Sequence, residues 1–254
     1  MTRAIRLHCL LAGLLLLPGC LTLDPPSLRT EPIPHNSTLP LVIVVDGAGG
    51  FEICARYLGQ VVAEDHVPLL VRGYRWTHGY LRIPADQMHH AHLYHEGRKL
   101  AELILRWHQE RPERPIYLMG HSAGSGIVLV AAEALPAATL ERIILLAPAV
   151  SYKHDLRPAL ASSCQGIDVF YSQRDWLCLG LGVLVAGTTD RCWSIGAGKI
   201  GFRPVITCAE DETLYAKLHQ HPWDASLCWT GNKGGHYGAY QPGFLRAFVL
   251  PLLR

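Results

Sequence analysis

Ile116-Tyr117-Leu118-Met119-Gly120-His121-Ser122-Ala123-Gly124 carries an apolar strand into a glycine-flanked serine, and Ile127-Val128-Leu129-Val130-Ala131-Ala132 continues as an apolar helix. A serine on such a turn is forced out of the sheet with its Oγ exposed, and the flanking glycines leave room because neither has a Cβ. The pattern glycine-x-serine-x-glycine is weak by itself in a chain with 24 glycines. A strand before it and a helix after it make it a seat for a nucleophile.

Around that turn, short apolar runs alternate with helical stretches. Leu41–Val45 reads as a buried strand, followed by a Gly-rich turn and a helix from about Phe51 to Val62. Further strands are expected at Val67–Val71, Arg142–Leu146, Ile167–Tyr171 and Pro204–Cys208. A long helix is expected around Gln87–Gln109, where Leu100, Leu103, Ile104 and Trp107 recur at helical spacing, and a closing helix at Gln241–Leu250. With Ile116–Met119 this makes a mostly parallel central sheet of about six strands, covered by helices on both faces. The fold class is α/β, and 254 residues at 49% hydrophobic content suffice for one large core.

The first residues read differently. Arg3 and Arg6 precede an apolar run, Leu10 to Leu17, of signal-peptide length, ending in Leu17-Pro18-Gly19-Cys20. This resembles the bacterial lipoprotein signal, which implies cleavage before Cys20, lipidation of that cysteine and membrane attachment. An ordinary cleaved signal and a retained anchor are the alternatives. The expected layout is a signal peptide over 1–19, a proline-rich tether over 20–39 and one folded domain over 40–254. Loss of 1–19 would leave 21 basic against 21 acidic residues, a balance with no electrostatic reason to seek a nucleic acid. Six cysteines lie beyond Cys20, and in an exported chain an even set points to disulfides. Cys178 with Cys192 is the favoured local pair, with buried free thiols as the alternative.

The turn and the alternation together resemble the α/β-hydrolase fold over most of residues 40–254, with the first two strands of its common eight-strand sheet missing. In that family the nucleophile, acid and histidine follow in the order Ser, Asp or Glu, His. The resemblance makes Ser122 the nucleophile. Asp175, leading out of strand Ile167–Tyr171, becomes the acid, with Asp168 and Asp190 as competitors. His236, in Gly234-Gly235-His236-Tyr237-Gly238, becomes the base on an expected mobile loop, with His219 and His221 in reserve. Asp46-Gly47-Ala48-Gly49-Gly50 stands where the family places its oxyanion loop. There the amides of Ala48, or Gly47 as second choice, and of Ala123 would meet the developing charge. Asp46 replaces a common histidine, and its carboxylate should bond into the loop.

The expected activity is cleavage of a small-molecule carboxylic ester through an acyl-enzyme, without metal or organic cofactor. A thioesterase or peptidase would use the same three residues, and a non-catalytic envelope binding module would use only the fold. Met88-His89-His90-Ala91-His92 with His95 and Glu96 invites a metal reading, but a polar exposed helix face is the favoured one. His121 is expected to pack or hydrogen-bond near the sheet top. Trp176–Val185 reads as an apolar wall or cap, or equally as a core helix.

Overall fold

The computed structural model describes residues 37–175 and 187–254. Six parallel strands form one sheet in the order β2-β1-β3-β4-β5-β6. They are β1 (Leu41–Val45), β2 (Leu70–Gly73), β3 (Ile116–His121), β4 (Arg142–Leu146), β5 (Ile167–Tyr171) and β6 (Leu218–Pro222). Between them run α1 (Ile53–Glu64), α2 (Ile83–Met88), α3 (His90–Glu110), α4 (Gly124–Glu133), α5 (Arg157–Ser162), α6 (Ala197–Ile200) and α7 (Ala209–Tyr215).

Each inner strand is apolar on both sides because both faces are covered. Along β1, Leu41, Ile43 and Val45 point into a core built with α3 and α4, where Leu93, Leu100, Ile104 and Ile127 pack. The alternate residues Val42 and Val44 face a second core, with Leu58 and Val61 of α1 and Phe244, Leu245 and Val249 near the C-terminus. Burying one such side chain contributes about 1.5–3 kcal/mol, so the two cores are the main support of the sheet. α3 and α4 cross closely at Gly97, where a Cβ would come within 2.6 Å of Val130.

Four expectations about elements are corrected. Pro204–Cys208 is not a strand: Thr207 donates its N–H and hydroxyl to the Asp211 carboxylate, at 2.7 and 2.6 Å, and so closes off the start of α7. The sixth strand is β6, Leu-His-Gln-His-Pro, which pairs along β5 with Ile167 opposite Leu218 and Phe170 opposite His221. The strand expected at Val67–Val71 begins at Leu70, since Val67 donates back to Val62 and ends α1. The helix expected over 87–109 is broken at His89, with Pro84 in the first turn of α2 starting the chain into helix earlier. The closing segment is helical as expected but changes pitch, from Pro242–Phe244 through a wider turn at Leu245–Val249 to a tighter one at Leu250–Leu253.

The chain's first residues and Trp176–Val185 lie outside the described residues, so the expected signal peptide, Cys20, most of the tether and the apolar wall do too. So does Cys178. Among the described residues Cys54, Cys164, Cys192, Cys208 and Cys228 are free thiols, and no helix is long and apolar enough to cross a membrane.

One polar clamp joins the end of α4 to the loops that follow β4 and β5. His154 meets Asp190 through Nδ1 at 3.1 Å and Glu133, the last residue of α4, through Nε2 at 2.7 Å. Asp190 also accepts the Ser151 N–H at 3.0 Å. Burial works against a charged imidazole, but the two carboxylates outweigh it and raise His154 from the ordinary 6.5 to about 9. A raised imidazole contributes stability that is complete below the unfolded value and lost as pH climbs through the folded one. Unfolding free energy should therefore fall between pH 6.5 and about 9, and His154→Gln should flatten that part of a urea-unfolding profile.

Candidate active site

β3 lies at the centre of the sheet, between β1 and β4, and delivers Ser122 just past its C-terminal end. The Ser122 backbone sits at φ 52°, a left-handed conformation that side chains rarely adopt. Its N–H donates to Leu146 at 3.0 Å, and its carbonyl accepts from Ser125 and Ala149, each at 3.1 Å. The glycines on either side are needed for different reasons. A Cβ on Gly120 would lie 2.8 Å from the Ser125 Cα, across the turn. A Cβ on Gly124 would lie 2.3 Å from the Val45 carbonyl oxygen and 2.4 Å from that of Asp46, at the end of β1.

Ser122 Oγ is 2.8 Å from His236 Nε2, and His236 Nδ1 is 2.6 Å from Asp175 Oδ2. The imidazole is 8% exposed and the carboxylate 2%. An ionised carboxylate only accepts, so Nδ1 carries the ring hydrogen and Nε2 is left as an acceptor facing the hydroxyl. An imidazole in that state and place can take the serine proton.

The loop carrying His236 is expected to be mobile, yet it is pinned from several sides. Ser172, just beyond β5, donates its hydroxyl to the Gly234 carbonyl at 2.7 Å. Asn232 accepts from Gly234 N–H at 2.9 Å through its side chain, and from Trp223 Nε1 at 3.0 Å through its carbonyl. Gly234 turns the chain at φ 81°, with no space for a Cβ against the Trp223 ring. His121, buried beneath, faces the His236 carbonyl through Nε2 at 3.1 Å. Burial, with the neighbouring His236 ring, pushes His121 down to about 3. It therefore stays neutral, with its hydrogen on Nε2 to donate.

The competing residues are engaged elsewhere. Asp168 lies within β5 and binds Arg142 and His221, the latter at 2.7 Å. Burial opposes its ionisation, but the His221 and Arg142 bonds prevail and hold its carboxyl below the usual range. Asp190 belongs to the His154 clamp. His219 and His221 are part of β6 itself.

The loop after β1 is bracketed by two buried carboxylates. Asp46 is expected to bond into its own loop, but it accepts the N–H groups of Cys54 and Ala55, at 2.8 and 3.0 Å, at the start of α1. Burial still raises it to about 6, against the pull of those two amides. Asp86 of α2 accepts the Gly49 N–H at 2.8 Å. Between them, Gly47 lies against the elbow, where a Cβ would be 3.1 Å from that of Ser122, and half-buried Ala48 follows. Ala123 is buried at the N-terminus of α4, where the helix dipole favours negative charge.

Residues 78–175 match a family model described as serine aminopeptidase, S33. The six strands follow the order of the last six in the eight-strand pattern, and the serine elbow stands at the end of the central one. The fold is that of the α/β hydrolases. Among solved structures the chain is similar to esterase PE8, at 15% identity and a TM-score of 0.48, over 87% of this chain and 96% of that one. It is similar to a lipase-esterase related protein from Clostridium acetobutylicum, at 10% identity and a TM-score of 0.45, over 87% and 96%. It is also similar to the catalytic core domain of acetyl xylan esterase from Trichoderma reesei, at 12% identity and a TM-score of 0.42, over 85% and 97%. A comparison with curated proteins gives no match.

The histidine-rich start of α3 is less exposed than expected. His90 Nδ1 is 3.0 Å from the Thr189 carbonyl, His92 bonds the Trp76 carbonyl, and buried Glu96 pairs with the Tyr74 hydroxyl at 3.0 Å and Lys99 at 2.8 Å. Among the described residues no group of three or more His, Cys, Asp or Glu side chains is arranged to hold a metal ion. Sequence reasoning missed Ser172, Asn232 and Asp86, all polar residues in loops or short helices with no motif to mark them. Because the oxygens facing Gly124 belong to backbone, Gly124→Ala cannot be relieved by a side-chain rotation. It should cost roughly 1–3 kcal/mol or more, measured by urea unfolding.

Proposed function

We propose that this protein is a serine hydrolase that cleaves carboxylic esters through an acyl-enzyme on Ser122. The observation that carries the reading is the continuous chain Ser122 Oγ to His236 Nε2 at 2.8 Å and His236 Nδ1 to Asp175 at 2.6 Å, built from three separate loops at one rim of the sheet. His236 removes the hydroxyl proton as Oγ attacks the acyl carbonyl. Asp175 keeps the ring in the required tautomer and stabilises the imidazolium that forms. The backbone N–H groups of Ala123 and of Ala48 or Gly47 hold the developing oxyanion. The imidazolium then protonates the departing alkoxide. Water, deprotonated by the same ring, releases the acid and regenerates Ser122.

The matched family description favours a second reading, release of an N-terminal amino acid from a peptide. An aminopeptidase must hold a substrate ammonium. Asp46 and Asp86, at the two ends of the loop after β1, and Asp175, on the histidine, are each committed to a backbone amide or an imidazole. Ester cleavage also makes the smaller demand, since an alkoxide leaves more readily than an amine. A fluorophosphonate probe should label the wild type and fail to label Ser122→Ala. Asp175→Asn should lower kcat on a short chromogenic ester by about 10⁴-fold, as expected when the ring loses its tautomer. A folded wild type that neither labels nor turns over esters, with aminoacyl anilides cleaved instead, would replace this reading with the second.

Export and lipid attachment at Cys20 belong to the same proposal, supported by Arg3, Arg6, the Leu10 to Leu17 run and Cys20. Cells fed a tagged fatty acid should yield a labelled protein, and Cys20→Ser should abolish the label. A secreted, unlabelled wild type would leave only a simple signal peptide.

A further inference from the structure

The loop Asp46–Gly50 has no regular secondary structure of its own, so something else must fix where its amides point. Its beginning is tied down by the Asp46 carboxylate at the start of α1 and by Trp76 Nε1, which donates to the Asp46 carbonyl at 2.8 Å. Its far end depends on α2. Asp86, with its side chain fully buried, takes three hydrogen bonds on two oxygens. Oδ2 accepts the Gly49 N–H at 2.8 Å. Oδ1 accepts the His78 N–H at 2.7 Å and faces His78 Nδ1 at 2.8 Å. Leu81 N–H adds a bond to the Gly49 carbonyl at 3.0 Å.

The segment that Asp86 gathers ends in an exposed tip, with His78 stacked on His89 and Tyr80 edge-on to Phe51 at 5.4 Å. Tyr80 and Leu81 are 70% and 61% exposed, and a Cβ on Gly79 would touch nothing within 4 Å. Gly49 and Gly50 both turn at positive φ, 97° and 68°, where the backbone has many alternatives to lose. Hydrogen bonds to an ionised carboxylate are shorter and about twice as strong as neutral ones. One buried carboxylate is therefore the side-chain fastening that joins both His78 and Gly49, linking this surface segment to the loop beside Ser122.

The geometry points to Asp86 as a positioning residue of the active site: its carboxylate sets the register of the Asp46–Gly50 loop, and so the aim of the Gly47 and Ala48 amides at the oxyanion. This rests on the serine-hydrolase reading above. It adds a residue from outside the triad and its loop, one that never meets substrate. The chemistry requires a carboxylate. An asparagine has one accepting oxygen and one NH2, so either Gly49 N–H or the His78 donors would face another donor. A glutamate keeps the charge and the acceptors but displaces them by one methylene.

A structural role and a positioning role separate in kinetics. An interaction realised only in the transition state lowers kcat and leaves substrate binding alone, and a misplacement of about 1 Å can cost about 10²-fold. Wild type, Asp86→Asn and Asp86→Glu would be compared on a chromogenic ester, with active sites counted by fluorophosphonate so that only folded enzyme contributes. An alkylboronic acid, which forms a tetrahedral anion on the serine, reads the oxyanion site directly. Both variants should lose roughly 10- to 100-fold in kcat with KM changed less than about twofold, and Ki for the boronic acid should rise in parallel. Asp168→Asn, which breaks the buried bonds of this β5 carboxylate to Arg142 of β4 and His221 of β6, should lower the Tm without that split. Should Asp86→Asn fail to fold, Asp86→Glu decides. Per-site kcat and boronate Ki equal to wild type in the variants that fold, with only the Tm lowered, would overturn the positioning role. A wild type that shows neither labelling nor turnover would instead remove the hydrolase reading, and this inference with it.

Discussion

A serine held at φ 52° occupies backbone space that costs on the order of 1–3 kcal/mol, and the rest of the molecule is arranged so that this cost is met. β3 is clamped between two parallel neighbours and cannot relax sideways. The Ser122 peptide is bonded on both sides, to Leu146 and to Ser125 and Ala149. Gly120 and Gly124 remove the only atoms that would prevent α4 from folding back against β1. The strain persists because a relaxed serine would lose these three bonds and disturb the core that α4 packs into. What it achieves is direction: the hydroxyl leaves the sheet at the one rim where the loops after β1, β5 and β6 also emerge.

Those loops do not act separately. The Ser172 hydroxyl spans from the exit of β5, three residues before Asp175, to the carbonyl of Gly234, two residues before His236. Neutral His121, next to the serine, holds the His236 carbonyl from below. Asp175, His236 and Ser122 are thus linked through backbone as well as through their own side chains. With the paired atoms already 2.6 and 2.8 Å apart, the proposed proton transfer would need little reorganisation, which is how preorganised polar groups lower a barrier.

How much of this could be read from residues alone follows burial. Leu-Val-Ile-Val-Val, Ile-Tyr-Leu-Met and Arg-Ile-Ile-Leu-Leu announce inner strands because both their faces must be dry. β6 carries two histidines, a glutamine and a proline because it lies at the margin, and an apolar criterion passes over it in favour of Pro204–Cys208. The break at His89 was hidden by helical spacing that continues across it. Ser122 and Asp175 can be singled out because each follows a recognisable apolar run, and His236 from chain order and its flanking glycines. The groups that steady them cannot. Asp86 in Ile-Pro-Ala-Asp-Gln-Met looks like any acid in a short helix, and its bond to Gly49 spans 37 residues.

The composition of β6 has one more consequence. An outer strand offers unpaired N–H and C=O groups to any passing chain, a hazard that proteins blunt with short length, polar side chains and proline. Leu218–Pro222 has all three: five residues, two imidazoles and a terminal proline with no hydrogen to donate. A second molecule laid along that border would find its ladder interrupted after a few rungs, so the sheet is discouraged from growing into a fibre at its most accessible side.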